Sequence, residues 1–286
     1  MVKINPDKLH RDQTGFHLVL AVLSLFMALP IVFIINNSFK PFTELFAYPP
    51  RFFVSQPTLE NFRLLVHFST ESGLPLSRYV FNSLLAAIAV ILLTLAVSSL
   101  AAFALSKLTF KGKDTFNRIN TLALMFVPIA VAIPRFLIIE KMGIFNTYLA
   151  HIVPLLAMPI GIFLLKQFMD QVPDDLIEAS KMDGGGNWRV YWSVMLPLVK
   201  PALVTVAILT FQATWGNVES SANFMNDESL RTLPFYLNTL VAQSGNIVAG
   251  AGLSAVAGMI LFVPNLVLFI ILQNKVMDSM AHTGIK

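Results

Sequence analysis

Between Asp170 and Pro201 the chain reads D-Q-V-P-D-D-L-I-E-A-S-K-M-D-G-G-G-N-W-R-V-Y-W-S-V-M-L-P-L-V-K-P. These residue types suit docking better than bond making. Pro173 with Asp174 and Asp175 marks a helix start, and Asp175 with Glu178 three positions later fits a capping box. Helix is expected through Glu178, Ala179, Ser180 and Lys181 to Met182. Asp183-Gly184-Gly185-Gly186 should stop it, because glycine accepts the positive φ of a helix C-terminus. A second short helix, Asn187 to Met195, would carry Trp188, Tyr191 and Trp192. Leu196-Pro197 and Pro201 then turn the chain back, so 170–200 reads as a helix-turn-helix. The Glu178 carboxylate can serve as a cap or meet a partner. The aromatic trio can anchor at a headgroup interface, where Trp and Tyr concentrate, or dock.

Catalytic signatures are absent. The chain has no Cys, which excludes disulfides, Cys-based zinc sites and thiol catalysis. It lacks a GxxxxGK[ST] phosphate loop, an HExxH pair and a GxSxG elbow. His151 reads as a packed or interfacial histidine. The chain is expected neither to hydrolyse nucleotide nor to need a cofactor or metal of its own.

The elements that position these residues are apolar. Of 286 residues 56% are hydrophobic and 13% charged, with mean hydropathy +0.70, against about 25% charged in soluble domains. The missing polar surface must face lipid. A span needs about 20 apolar residues, and six stretches qualify: 16–35, 84–105, 119–139, 148–165, 202–217 and 249–272. Thr205, Thr210, Gln212 and Thr214 interrupt the fifth, which can reflect hydrogen-bonded packing or the wall of an aqueous path. The middle portions of the other five hold no Asp, Glu, Lys or Arg. An ion-coupled transporter usually places ionisable groups there. Uphill movement of a solute would therefore draw its energy from another polypeptide. Gly250, Ser254 and Gly258 form a small-xxx-small ridge, for packing within the chain or against a partner.

Most of the 20 Lys and Arg residues lie in the N-terminal tail (1–15), the second-to-third loop, the fourth-to-fifth loop and the C-terminal tail. Lys107, Lys111, Lys113 and Arg118 are densely clustered. The positive-inside rule then places both termini and the 170–200 loop in the cytoplasm, and nucleic acid is not an expected partner. The N-terminal segment reads as an uncleaved first membrane helix, since its apolar run is too long for a signal peptide.

E-A-S-x-x-D-G-G followed by L-P-L-x-x-P resembles the EAA loop of ABC-importer permeases. The resemblance extends along the chain: Asn37-Ser38-Phe39-Lys40, Pro49-Pro50, Pro57 to Phe62, Asn82-Ser83-Leu84, Ala101 to Lys107 with Phe110-Lys111-Gly112, Gly143 to Thr147, and Thr232-Leu233-Pro234. It is similar to the second permease of maltose-permease-type sugar importers. The resemblance implies an all-α membrane protein with six transmembrane helices, a type I ABC-importer permease core in 16–286, and a cytoplasmic coupling helix-turn-helix. It implies that Glu178, Ala179, Ser180, Asp183, Gly184 and Gly185 engage an ATPase, with Leu196 and Pro197 closing the motif. Glu178 would meet a basic group and Gly184 would permit the turn. Ser180 and Gly185 replace the family's alanines, and the triple glycine should loosen the turn.

The implied partners are a second permease subunit, two cytoplasmic ATPase subunits that bind the ATP and Mg, an extracytoplasmic solute-binding protein, and the lipid bilayer of a bacterial cell. The implied cargo is a sugar, an oligosaccharide by preference. Asn120, Gln212, Trp215, Asn217 and Glu219 are candidates for the solute path, where 215–223 is smaller and more polar than the family pattern. The alternatives are a permease for a non-sugar solute, a secondary transporter or channel, and a non-transporting sensor or scaffold.

Overall fold

A computed structural model describes residues 14–71, 73–126, 128–243 and 247–283. The expected N-terminal tail through residue 13 and the last three residues lie outside them. Every regular element among the described residues is helical. In chain order they are α1 (Thr14–Phe39), α2 (Phe42–Leu45), α3 (Glu60–Glu71), α4 (Leu76–Lys107), α5 (Lys113–Ala123), α6 (Ala132–Lys141), α7 (Leu149–Leu156), α8 (Pro159–Asp170), α9 (Asp174–Met182), α10 (Asn187–Val190), α11 (Leu196–Leu198), α12 (Lys200–Trp215), α13 (Glu219–Phe224), α14 (Leu233–Gln243) and α15 (Ile247–Thr283). The chain divides into two units, one of residues 1–68 with 240–260, the other of 69–239 with 261–286.

Among the described residues three helices are long and apolar enough to cross a membrane: α1, α4 and the stretch Gly250–Gln273 of α15. At 1.5 Å per residue, the 32 residues of α4 reach about 48 Å, beyond the roughly 30 Å of hydrocarbon. Two bent pairs bring the number of candidate spans to five. The first, α7 with α8, is bent by 46°. Pro159 drives the residue before it to extended backbone, and Met158 (φ −112°, ψ 85°) marks that break. The second pair, Asn187–Leu198 with α12, is bent by 79°.

The expected third span, 119–139, is not one helix. α5 ends at Ala123, and the chain passes through a 3₁₀ turn at Pro128–Val131 before α6 begins. Pro128 offers no N–H to a continuing helix. A hydropathy window averages across that break, and α5 opens on the polar run Lys113-Asp114-Thr115.

In the larger unit α4 packs against α8, α12 and α7. Ala102, Leu165, Met169, Val190, Met195 and Val206 form its core. Gly161 brings the α8 backbone close, since an added Cβ would lie 3.1 Å from Val206 Cγ1 and 3.3 Å from Ser98 Oγ.

In the smaller unit the loop after α1 is ordered by polar anchors. Asn61 donates to the carbonyls of Ser38 (3.2 Å) and Lys40 (2.9 Å). Buried Lys40 donates to Arg51 O at 2.6 Å, and Glu44 accepts from the N–H groups of Ser55 and Gln56. The tight approach on α15 is at Gly252, where a Cβ would stand 2.6 Å from Asn61 Oδ1. Of the expected ridge, Gly258 meets Ile34 of the same chain and Ser254 is exposed.

Candidate functional site

The 170–200 loop folds as two helical segments joined by a glycine turn. Its first helix is not closed by the expected capping box. Pro173 occupies the N-cap and no side chain caps the helix, so Asp175 falls inside the first turn. An ion pair anchors the start instead: Lys107 Nζ donates to Asp174 Oδ1 and to Val172 O, both at 2.7 Å. Ile177 turns inward, 7% exposed, into the core beside Val190 and Tyr191. By helical spacing Asp175, Glu178, Ala179 and Met182 share the opposite face, and all four are exposed. The Glu178 carboxylate has no hydrogen bond or ion pair among the described residues.

The turn is tight. Gly184 takes φ +79°, its N–H meets Lys181 O at 3.0 Å, and Gly185 N–H meets Ser180 O at 2.9 Å. That pair of bonds is a Schellman closure. A Cβ on Gly185 would lie 2.5 Å from Ser180 O and 3.0 Å from Ser180 Oγ. The second glycine thus closes the turn more tightly, against the expectation of a looser one.

After Gly186 the chain forms α10, a π-helical turn over Tyr191–Met195, and α11. The aromatic trio divides. Tyr191 is buried, its hydroxyl 2.7 Å from Ser99 Oγ of α4 and its ring 5.5 Å from that of Phe103. Trp188 and Trp192 remain 64% and 55% exposed, with ring centroids 5.9 Å apart. In the π turn Leu196 N–H reaches Tyr191 O, a widening that accommodates Pro197 one residue on. Leu196 and Pro197 therefore sit within helix, and the chain bends by 79° at buried Val199 (φ −97°, ψ 14°). Pro201 then lies in the first turn of α12, where a missing N–H costs no bond. Glu178, Ala179, Ser180, Asp183, Gly184, Gly185, Leu196 and Pro197 thus all fall on one rigid segment keyed to α4.

The five solute-path candidates do not form one site. Asn120 donates to Pro159 O (3.3 Å) and borders an apolar groove of about 430 Å³. Gln212 is exposed. Trp215 is 5% exposed and stacks on Phe211 at 5.5 Å, facing the protein interior. Asn217 Oδ1 accepts from Ser220 N–H and so closes the first turn of α13. Glu219 accepts from Arg135 Nη1 through both oxygens, at 3.0 and 3.1 Å. Arg135 borders a second cavity of about 600 Å³ with Pro134, Ile138, Val153, Pro154 and Ala157. Sequence reasoning did not single out Arg135.

It also missed a dense polar cluster around the segment 226–233. Asn82 Nδ2 donates to Ser229 O and Arg231 O at 2.8 Å each, while its Oδ1 accepts from the Tyr148 hydroxyl at 2.8 Å. Arg78 Nε donates to Ser229 O, His151 Nε2 lies 2.9 Å from Leu230 O, and Leu233 N–H donates to Ser83 Oγ. Asn146, at φ +58°, accepts from the N–H groups of Asn226 and Asp227. The N–H of Ser229 on Asp227 holds the Asp227 carboxyl below the ordinary carboxylate range.

Broken apolar helices packed around the long α4, with the 170–200 loop keyed to it, are the architecture of a membrane protein. The family model described as "Binding-protein-dependent transport system inner membrane component" matches residues 98–275. The chain belongs to that family and is a multi-pass inner-membrane protein. It is 30% identical over 272 residues (93% of this chain, 94% of the relative) to the arabinooligosaccharides transport system permease protein AraQ of Halalkalibacterium halodurans. It is 30% identical over 94% of each chain to the trehalose/maltose transport system permease protein MalG of Thermococcus litoralis. With the inner membrane ABC transporter permease protein YcjP of Escherichia coli it shares 27% identity over 96% of this chain and 97% of that one. A chain from a bacterial ABC transporter involved in the import of the acidic polysaccharide alginate has the same fold. Its TM-score is 0.76 at 20% identity, over 93% of this chain and 98% of that one.

Proposed function

We propose that this chain is the permease subunit of an ATP-driven, binding-protein-dependent importer of an oligosaccharide, and that Glu178 is its contact with the ATPase. The observation that carries this reading is an unpaired carboxylate on the exposed face of a helix whose inner face is packed into the core. Ile177 and the Tyr191–Ser99 hydrogen bond fix the loop to α4, while Glu178, Met182, Trp188 and Trp192 remain outside the fold. Coupling needs contacts that differ between two states and a stiff element to carry them.

The loop and both termini lie in the cytoplasm in this reading, and a second permease and a solute-binding protein complete the assembly. This chain catalyses nothing itself; ATP and Mg bind to two separate ATPase subunits. The sugar assignment rests on relatives named for arabinooligosaccharide and trehalose/maltose transport. The Arg135–Glu219 pair closes one charged group of the candidate path on another, which favours a neutral cargo surface there.

The test is uptake of labelled oligosaccharide by the assembly in proteoliposomes, with Glu178→Ala beside the parent. The variant should insert normally and lose solute-stimulated ATP hydrolysis and uptake together. Normal coupled uptake would remove Glu178 from the mechanism. Uptake driven by an ion gradient without the ATPase would overturn the importer reading.

A further inference from the structure

The groove beside Asn120 is enclosed by α4, α5 and α8 and lined by Ala101, Ala104, Phe110, Phe116, Ile119 and Ile162, among others. It is too apolar to hold a hydrated solute. Asn120 is its one polar lining side chain, and that amide is already bonded to Pro159 O. The groove lies along the last turns of α4, the same helix end from which Lys107 reaches Asp174 of the 170–200 loop. One end of it therefore sits at the level of that loop, and the rest runs toward the membrane interior.

Charge marks that end. From Lys107 to Arg118 the sequence holds four basic residues and one acidic residue, Asp114. Lys111 directly follows the groove residue Phe110, is exposed, and has no hydrogen bond or ion pair among the described residues. Lys113 stands one helical turn before Phe116, on the groove side of α5 by spacing. Its Nζ donates to Ser106 O (3.2 Å) and Leu108 O (3.0 Å), which leaves one N–H. An apolar groove with two cations on residues close to its lining residues Phe110 and Phe116 matches a molecule with an apolar tail and an anionic head.

We infer that this groove binds one anionic phospholipid, with an acyl chain between α4, α5 and α8 and the phosphate at Lys111 and Lys113. Basic clusters at the end of a membrane helix attract anionic headgroups, and the groove supplies the shape that a general surface attraction lacks. The lipid wedges α5 against α4 and α8 beside the loop, so its occupancy bears on how firmly that end is held. The inference is independent of the cargo and of Glu178.

The test uses the purified assembly in nanodiscs of phosphatidylcholine and phosphatidylglycerol, with retained lipid read by native mass spectrometry. Phosphatidylglycerol should be retained in preference to phosphatidylcholine. Lys111→Gln, on an exposed side chain, should lower that preference about fivefold. Ala104→Trp, read only in assemblies that elute intact, should reduce retention of both lipids by filling the groove. Equal retention of the two lipids, or a preference unchanged by Lys111→Gln, would overturn the inference. So would a cysteine at position 104 that crosslinks to the partner permease, since protein would then cover the groove.

Discussion

The 226–233 segment and the 170–200 loop are both polar connections between apolar helices, and they are built on opposite plans. Around 226–233 the polar groups are paired inside the chain: Asn82, Asn146, Tyr148 and His151 are committed to backbone or to each other. In the 170–200 loop the inner face is equally committed, through Ile177, Tyr191 and Lys107, while the outer face leaves a carboxylate and two indoles unengaged. A connection paired largely within its own chain holds helices at fixed spacing, although the buried Arg231 Nε has no hydrogen bond among the described residues. A connection paired on one face only is mounted for something outside the chain.

The strongest way to break this contrast is at Asn82. Asn82→Ala leaves the part-buried Arg231 carbonyl and the Tyr148 hydroxyl short of a partner, and Ser229 O with Arg78 Nε alone. It should destabilise the protein by about 3 kcal/mol, read as a lower melting temperature in detergent. Gly185→Ala comes next, because its Cβ meets Ser180 O at 2.5 Å. Overpacking of this kind costs about 1–2 kcal/mol, and faster hydrogen exchange confined to 180–186 would report it. Tyr191→Phe removes one buried hydrogen bond, worth about 1 kcal/mol, and should loosen the loop on α4 without unfolding the rest.

Glu178→Ala should change stability by less than about 0.5 kcal/mol while abolishing coupled uptake. A melting temperature as low as that of Asn82→Ala would show that Glu178 is part of the fold after all. The smallest effect is at Asp227. Its depressed pKa means that its contribution is complete above the ordinary carboxylate pKa and fades as pH falls through the folded value. The melting difference between parent and Asp227→Ala should thus be present at pH 7 and vanish in acid.

The parts of this design that depend on residue type were readable in the sequence. Glycines at 184–186 predict a helix stop, and the Schellman turn supplies it. The aromatic trio marks a special segment, although its division into one buried ring and two exposed ones depends on the register against Ser99 and Phe103. The capping box failed because Pro173 takes the N-cap, two positions before the pattern places it. The expected continuous helix over 119–139 is interrupted because average hydropathy does not register the helix break at Pro128. Trp215 was singled out for the solute path from its residue type, whereas its burial and its stacking on Phe211 depend on packing that the type does not reveal.

The 226–233 network was the least legible. Its acceptors are the carbonyls of Ser229, Leu230 and Arg231, and a carbonyl carries no residue-type signature. The family fragments Asn82-Ser83 and Thr232-Leu233 stand about 150 positions apart in the chain. Their joining through Ser83 Oγ and Leu233 N–H could be read only from the fold.

Val199 alone separates α11 from α12, and this sets the accounting between fuel and cargo. A flexible linker at that point would let the ATPase complete its cycle while α12 stayed still, and nucleotide would be spent with nothing imported. A buried single-residue bend leaves little slack, so in the proposed importer a displacement of the loop would pass to α12. The number of ATP molecules consumed per solute would then depend on that bend. Lengthening the bend by two glycines should raise that stoichiometry without stopping hydrolysis.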